Sequence, residues 1–231
     1  MLEELKARVC EVNLELVNRS LVLMTWGNAS AIDRGQGLVV IKPSGVDYGV
    51  MRPEDMTVID LEGEVIEGEL RPSVDMPAHL AMYRAWSGVN GIVHTHSHYA
   101  TAWAQACRPI PCFGTTHADY FHGDVPLTEP LSASEVADEY ENHIGKAIVR
   151  CFDERDPLDC PAVLCAQHAS FAWGLSVEKA LESATVLEEV ARMALHTVML
   201  SSKRPAIDAY LLDKHFLRKH GSGAYYGQDK P

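Results

Sequence analysis

Basic residues are scarce beside acidic ones: 20 lysines and arginines stand against 32 aspartates and glutamates, a formal net charge of −12. That balance argues against a nucleic-acid or anionic-membrane partner, because both are bound through basic stripes. It leaves phosphate binding open, since a few local donors decide that. No stretch approaches the ~18 uninterrupted apolar residues of a membrane-spanning helix. The first residues, Met1-Leu-Glu-Glu-Leu-Lys-Ala-Arg, are charged and carry no long apolar core or small-residue cleavage site, so no targeting peptide is read there. The six cysteines form no CxxC pair and read as reduced thiols, which makes the cytoplasm the expected compartment. No P-loop, dinucleotide fingerprint or His-Glu-x-x-His motif is present, so the corresponding nucleotide and zinc-hydrolase chemistries have no support. There is no internal repeat and no Pro-, Gly- or Ser-rich linker. One domain spanning residues 1–231 is therefore expected, with 221–231 as a C-terminal tail.

The remainder is ordinary for a soluble globular chain, with 47% hydrophobic and 23% charged residues. Leu2, Leu5, Val9, Val12 and Leu16 recur at three- and four-residue steps and predict an opening amphipathic helix. Short apolar runs at 29–32 and 38–41 flank Arg34-Gly35-Gln36-Gly37 and read as a hairpin, and 57–60 with 64–67 read as a second. A helix is predicted over 76–86, with Pro77 in its first turn and Asp75 as its cap. Further expectations are a buried strand over 91–94, helices over 98–107 and 132–151, and a strand pair at 162–165 and 170–173. A long helix capped by Ser176 and a terminal helix over 208–219 complete the pattern. Strand pairs alternating with helices give an α/β class, and the hairpins favour an antiparallel or mixed sheet.

Eleven histidines are present, and two of them, in His94-Thr95-His96, end a predicted strand. Alternation along a strand sends both imidazoles to one side, two nitrogen ligands from one stiff element. A third ligand would come from elsewhere, with His117, His168 and His98 as candidates and Asp75 or Asp119 as oxygen donors. Three neutral imidazoles and one carboxylate suit zinc or another first-row divalent ion, and a displaceable oxygen position leaves room for substrate.

Two segments at predicted strand ends, Thr25-Trp26-Gly27-Asn28 and Lys42-Pro43-Ser44-Gly45, combine glycines that let a backbone approach an anion with side chains that donate to it. Each reads either as a phosphate cradle or as a simple turn. Thr115-Thr116-His117-Ala118-Asp119-Tyr120 packs titratable groups into a loop that is either an acid–base element or a side-chain-capped turn. The glycine-rich end carries Tyr225 and Tyr226 behind a helix anchored by Leu211, Leu212, Phe216 and Leu217.

Taken together, Thr25-Trp-Gly-Asn, Ile41-Lys-Pro-Ser-Gly-Val-Asp-Tyr, Gly91-Ile-Val-His-Thr-His-Ser, Gly114-Thr-Thr-His-Ala-Asp-Tyr-Phe and Lys214-His-Phe-Leu-Arg-Lys-His-Gly resemble the class II aldolase/adducin family. The likeness runs in family order from about Leu2 to Gln228, and the Asp119 loop and the Ala-Tyr-Tyr-Gly-Gln tail resemble its sugar-phosphate 4-epimerases. The resemblance implies an α/β/α layered domain with a mostly antiparallel central sheet, assembled as a homotetramer with sites between subunits. It implies His94, His96, His168 and Asp75 as ligands of one divalent ion per subunit, zinc first, with Mn²⁺ or Co²⁺ also suited. Gly27, Asn28, Ser44, Gly45, Ser73 and Val74 match phosphate-binding positions, and Asp119 and Tyr226 match an acid–base pair. The implied substrate is a ketopentose phosphate of pentose (arabinose-type) catabolism, epimerised at C4 by retro-aldol cleavage and re-formation of the C3–C4 bond. Alternatives are an aldolase acting on a deoxyketose 1-phosphate and a non-catalytic adducin-like module. Two departures from the family pattern stand out. Val74 replaces a second serine, and His168-Ala169-Ser170-Phe171 replaces His-Gly-Pro-Phe.

Overall fold

The computed structural model describes residues 2–220 and 223–227; the remaining tail positions, 221–222 and 228–231, and Met1 lie outside the described residues. The chain opens with α1 (Glu3–Asn18) and a hairpin of β1 (Asn28–Asp33) and β2 (Leu38–Ile41), then a second hairpin of β3 (Thr57–Asp60) and β4 (Val65–Glu67). Next come α2 (Met76–Ala85), β5 (Gly91–Thr95), α3 (His98–Gln105) and the single turn α4 (Thr115–Ala118). Helices α5 (Ala133–Ala137) and α6 (Tyr140–Cys151) lead to the hairpin β6 (Ala162–Leu164) and β7 (Ser170–Gly174), and α7 (Val177–Leu200) and α8 (Ala209–His220) close the fold.

All seven strands join one sheet in the order β4-β3-β2-β1-β5-β7-β6, and every paired neighbour is antiparallel. The mostly antiparallel α/β expectation therefore holds. Helices cover both faces, which is why the inner strands read as continuous apolar runs rather than alternating ones. On one face Asn13 of α1 bonds both backbone groups of Ala29, and Trp103 of α3 donates its indole N–H to the Ala191 carbonyl of α7. On the other, His79 and Tyr83 of α2 meet the Ser30 hydroxyl. Helices α2 and α6 approach closely at Gly145, where a Cβ would lie 2.7 Å from Ala81 Cβ.

Three local expectations are corrected. The predicted helix over 132–151 is two helices. Ser132 caps α5 through a reciprocal box with Glu135, then Asp138 is extended and Glu139 takes a left-handed φ of 48°, which ends the hydrogen-bond ladder before α6. Asp75 precedes α2 as expected but makes no side-chain cap. Its carboxylate is instead engaged by Asn28 and Ser73. The segment around His117 forms a helical turn rather than a loop. By contrast Ser176 does cap α7, its hydroxyl accepting from the Lys179 N–H. Among the described residues no helix is long and apolar enough to cross a membrane.

Candidate metal and active site

The site forms where β1, β5 and β7 end side by side. Sheet register pairs Asn28 with His94 and His94 with Phe171, so these three side chains share one face. His94 stacks on Phe171 at 4.2 Å between ring centroids and donates its Nδ1–H to the Ser170 carbonyl at 2.9 Å. A carbonyl only accepts, so this bond fixes the tautomer and leaves Nε2 with a free lone pair. His96, two residues on, brings its own Nε2 to 3.2 Å from that nitrogen. His168 arrives from the tight turn between β6 and β7, where Cys165 N–H bonds the Ala169 carbonyl and Gln167 has a φ of 62°. Its ring lies parallel to that of His94, 5.2 Å away. The ligand nitrogens of the three histidines all fall within 4.8 Å of one another.

These residues fit a metal ion by their chemistry. The His168 Nε2 is buried and has no hydrogen-bond partner among the described residues, which is costly unless something else occupies its lone pair. Burial, reinforced by the neighbouring imidazole of His94, holds both His96 and His168 down to about 4, so both imidazoles are neutral at pH 7, the form that can bind a metal. Asp75 lies on the same wall. Burial pushes its carboxyl up, but His94, His79, the Asn28 amide and His168 together outweigh that and hold it below the usual carboxylate range. The Asn28 amide donates to its Oδ2 at 2.7 Å. The nitrogens that cluster within 4.8 Å are the three imidazoles alone, and Asp75 is not among that group.

The triad opens into a cavity of about 460 Å³ whose wall includes Gly27, Asn28, Ser44, Gly45, Ser73, Val74 and Asp75. Gly27 has a φ of 78°, and a Cβ there would lie 2.7 Å from the His94 carbonyl oxygen, so no other residue fits without moving the ligand strand. Ser73 N–H bonds the Lys42 carbonyl and Ser44 N–H the Arg71 carbonyl, which ties the two donor segments together. Val74 is 63% exposed and offers no hydroxyl to the cavity. The second departure, Ser170, is accommodated in β7: its carbonyl orients His94 and its hydroxyl donates to Thr95 O at 3.2 Å.

Sequence reasoning names Lys42 only as part of the Lys42-Pro43-Ser44-Gly45 segment, with no role of its own, and leaves out Tyr140 and Glu141, yet all three line this cavity. Lys42 is 2% exposed. Among the described residues its ammonium makes no ion pair, donating to the Pro43 carbonyl and lying over the Tyr48 ring. Burial lowers its pKa, opposed by Asp47 and Asp75. Its signal in the sequence is its place at the head of the Lys42-Pro43-Ser44-Gly45 segment. Tyr140 and Glu141 carry no sequence signal of their own.

Asp119 and Tyr226 both gather around Arg218 and not at the triad, and neither lines its cavity within this chain. Arg218 grips the Asp119 carboxylate through Nε at 3.0 Å and Nη2 at 2.6 Å, and His215 adds a third contact at 3.0 Å. Burial works against ionisation of Asp119, but Arg218, His215 and Lys219 overcome it and hold the carboxyl low. Tyr226 N–H bonds the Arg218 carbonyl, and the Arg218 guanidinium stands 5.1 Å from the Tyr226 ring centroid. His117, the rival third ligand, instead bonds the Gly123 carbonyl.

The chain belongs to the family described as Class II Aldolase and Adducin N-terminal domain, which it matches over residues 7–195. It is 52% identical over 227 residues to the L-ribulose-5-phosphate 4-epimerase UlaF of Salmonella paratyphi B, covering 98% of this chain and 100% of that protein. Among solved structures it is similar to an L-fuculose 1-phosphate aldolase, with a TM-score of 0.78 and 25% identity over 92% of this chain and 94% of that one. The L-fuculose-1-phosphate aldolase of Thermus thermophilus aligns with a TM-score of 0.68 and 27% identity, over 88% and 98% of the two chains.

Buried neutral histidines outside the triad set an acid limit on the fold. Burial drives His79 down to about 3 and His117 to about 4, from an ordinary 6.5. Between pH 6.5 and about 4 the unfolded chain therefore binds more protons than the native one. Stability of the metal-free protein is fully present above pH 6.5 and declines as pH falls through that window. Urea midpoints measured from pH 7.5 down to 4.5 should fall, and a flat profile would show that these imidazoles are not held neutral by burial.

Proposed function

We propose that this protein is a metal-dependent sugar-phosphate 4-epimerase interconverting L-ribulose 5-phosphate and D-xylulose 5-phosphate. The observation that carries this reading is the convergence of three imidazoles on a cavity that is also lined by a set of anion donors. The 52% identity to an L-ribulose-5-phosphate 4-epimerase supports the choice of substrate. We read residues 1–231 as one domain whose C-terminal tail contributes to the site.

His94, His96 and His168 would hold the divalent ion, with Asp75 as the carboxylate beside them, and the donor set suits zinc. When bound, such an ion supplies Lewis-acid stabilisation of the oxygens on which negative charge develops. The C4 hydrogen is not adjacent to the carbonyl, so simple enolisation does not invert C4; breaking and re-forming C3–C4 does. The Lys42 ammonium, the Ser44 and Ser73 hydroxyls, the Asn28 side chain and the backbone of Gly27 and Gly45 hold the phosphate of the aldehyde fragment. Its reacting end then turns while the fragment stays tethered. Asp119, kept ionised by Arg218 and His215, accepts or returns the proton of the C4 hydroxyl on one face, and Tyr226 does so on the other. Because Asp119 and Tyr226 do not line the triad's cavity in their own chain, we assign them to the cavity of a neighbouring subunit in a cytoplasmic homotetramer.

The test is incubation of zinc-loaded protein with L-ribulose 5-phosphate while D-xylulose 5-phosphate is assayed. Accumulation of a released aldehyde fragment in place of the epimer would make the protein an aldolase. Ser44→Ala should raise KM and also lower kcat, because the tethered fragment escapes more often. Unchanged values of both would remove Ser44 from phosphate binding.

A further inference from the structure

The three imidazoles are not oriented in the same way. His94 is fixed by the main chain: its partner is the Ser170 carbonyl within the β5–β7 pairing, which no side-chain substitution removes. His168 sits in a turn, and its Nδ1 faces a side chain instead, the Tyr140 hydroxyl at 3.3 Å. The two rings stand nearly perpendicular, 82° apart with centroids separated by 6.1 Å, so the hydroxyl meets the imidazole edge rather than stacking on it. On the far side of the same imidazole, the buried Nε2 has no partner among the described residues, and His168 is one of the three histidines whose ring nitrogens cluster.

Tyr140 is the first residue of α6, directly after the left-handed Glu139 that separates α5 from α6. It borders the triad's cavity on one side and a second cavity of about 480 Å³ on the other, lined by Leu131, Val136 and Ile144 among others. His168 lines both cavities as well; its ring touches those of His94 and His96, and the Tyr140 hydroxyl is the side-chain hydrogen-bond partner at its Nδ1.

We propose that Tyr140 is the positioning residue for His168, its hydroxyl oxygen accepting the Nδ1–H so that the Nε2 lone pair stays aimed at the space between His94 and His96. This rests on the metal reading of the triad. An acceptor on the distal nitrogen fixes the tautomer of a metal-binding imidazole and raises its basicity. The break between α5 and α6 then has a purpose, since a continuous helix over 132–151 would not present residue 140 as the first residue of a new helix beside the turn that carries His168.

Zn²⁺ affinity measured by competition with a chromophoric chelator tests this without reference to turnover. Tyr140→Phe keeps the ring and should bind Zn²⁺ about 10- to 100-fold more weakly, at the wild-type stoichiometry and with the metal-free melting temperature unchanged. Equal affinity in the two proteins would overturn the role of Tyr140 while leaving the metal site standing. Failure of the wild-type protein itself to bind Zn²⁺ would overturn the metal reading and this assignment with it. Long-range ¹H–¹⁵N spectra of the zinc-loaded wild type give a second readout that needs no variant. His168 should carry its proton on Nδ1, and a proton on Nε2 would contradict the assignment.

Discussion

Replacing His96 by alanine should strip the protein of tightly held metal and lower kcat/KM for L-ribulose 5-phosphate by about three orders of magnitude. The size follows from the several kcal/mol of charge stabilisation that a Lewis acid contributes, at about 1.4 kcal/mol per factor of ten. His96 is the informative choice because it lies just beyond the end of β5. His94, only 1% exposed and stacked on Phe171, is part of the packed core, and its loss would confound metal binding with folding. Metal content after dialysis, read by mass spectrometry beside the coupled assay, separates the two effects. A variant that retained one metal per chain and the wild-type rate would place the reaction elsewhere.

Asp119→Asn and Tyr226→Phe should each reduce turnover by about 10²- to 10⁴-fold, the range contributed by a positioned acid or base, while metal content stays at the wild-type level. The two differ in their effect on folding. The Asp119 carboxylate accepts two bonds from Arg218 and one contact from His215, so its neutralisation loosens the seat of α8 and should lower the melting temperature. Tyr226 is 62% exposed, and its change to phenylalanine should leave melting unaltered. The subunit arrangement is tested by mixing. His96→Ala lacks the triad and Asp119→Asn lacks the base, so co-refolded hybrids should recover about a quarter of the wild-type rate if each site is built across a cyclic interface. Hybrids that stayed inactive would mean that Asp119 serves the triad of its own chain.

These experiments bear on a site that is only partly legible in the sequence. The His-x-His pair is visible because strand alternation is a local rule: residues two apart on one strand face the same way wherever the strand ends up. The glycine and serine segments at 27–28 and 44–45 are visible for a similar reason, as strand ends with close-approach residues. Choosing His168 over His117 as the third imidazole is not a local matter. Both are histidines in polar turns, and only the sheet register distinguishes them: β7 pairs with β5, which carries the turn bearing His168 to the first two rings. His117, within α4, spends its ring nitrogen on the Gly123 carbonyl instead.

The burial of Lys42 and the place of Tyr140 are illegible because a side chain's neighbours depend on what folds over it. Lys42 stands in a segment that reads as a phosphate cradle or a simple turn, and nothing local shows that its side chain is enclosed. Asp75 shows the converse. Its place before α2 reads as a helix cap from sequence, but Asn28, 47 residues earlier, takes its carboxylate across the sheet.

Residue order alone sets the chemistry on offer: histidine ligands on a strand, small and polar residues at strand ends, a carboxylate and a tyrosine on late segments, and an acidic surface unsuited to nucleic acid. Apolar periodicity and turn residues act over a few positions, so the strand hairpins and most helices can also be read from it. Which histidine joins the pair, how fully Lys42 is enclosed, and that Asp119 and Tyr226 gather around Arg218 rather than the triad emerge only from the folded chain. Those facts depend on strand order and helix packing, which are fixed by burial of the whole core and by no single segment.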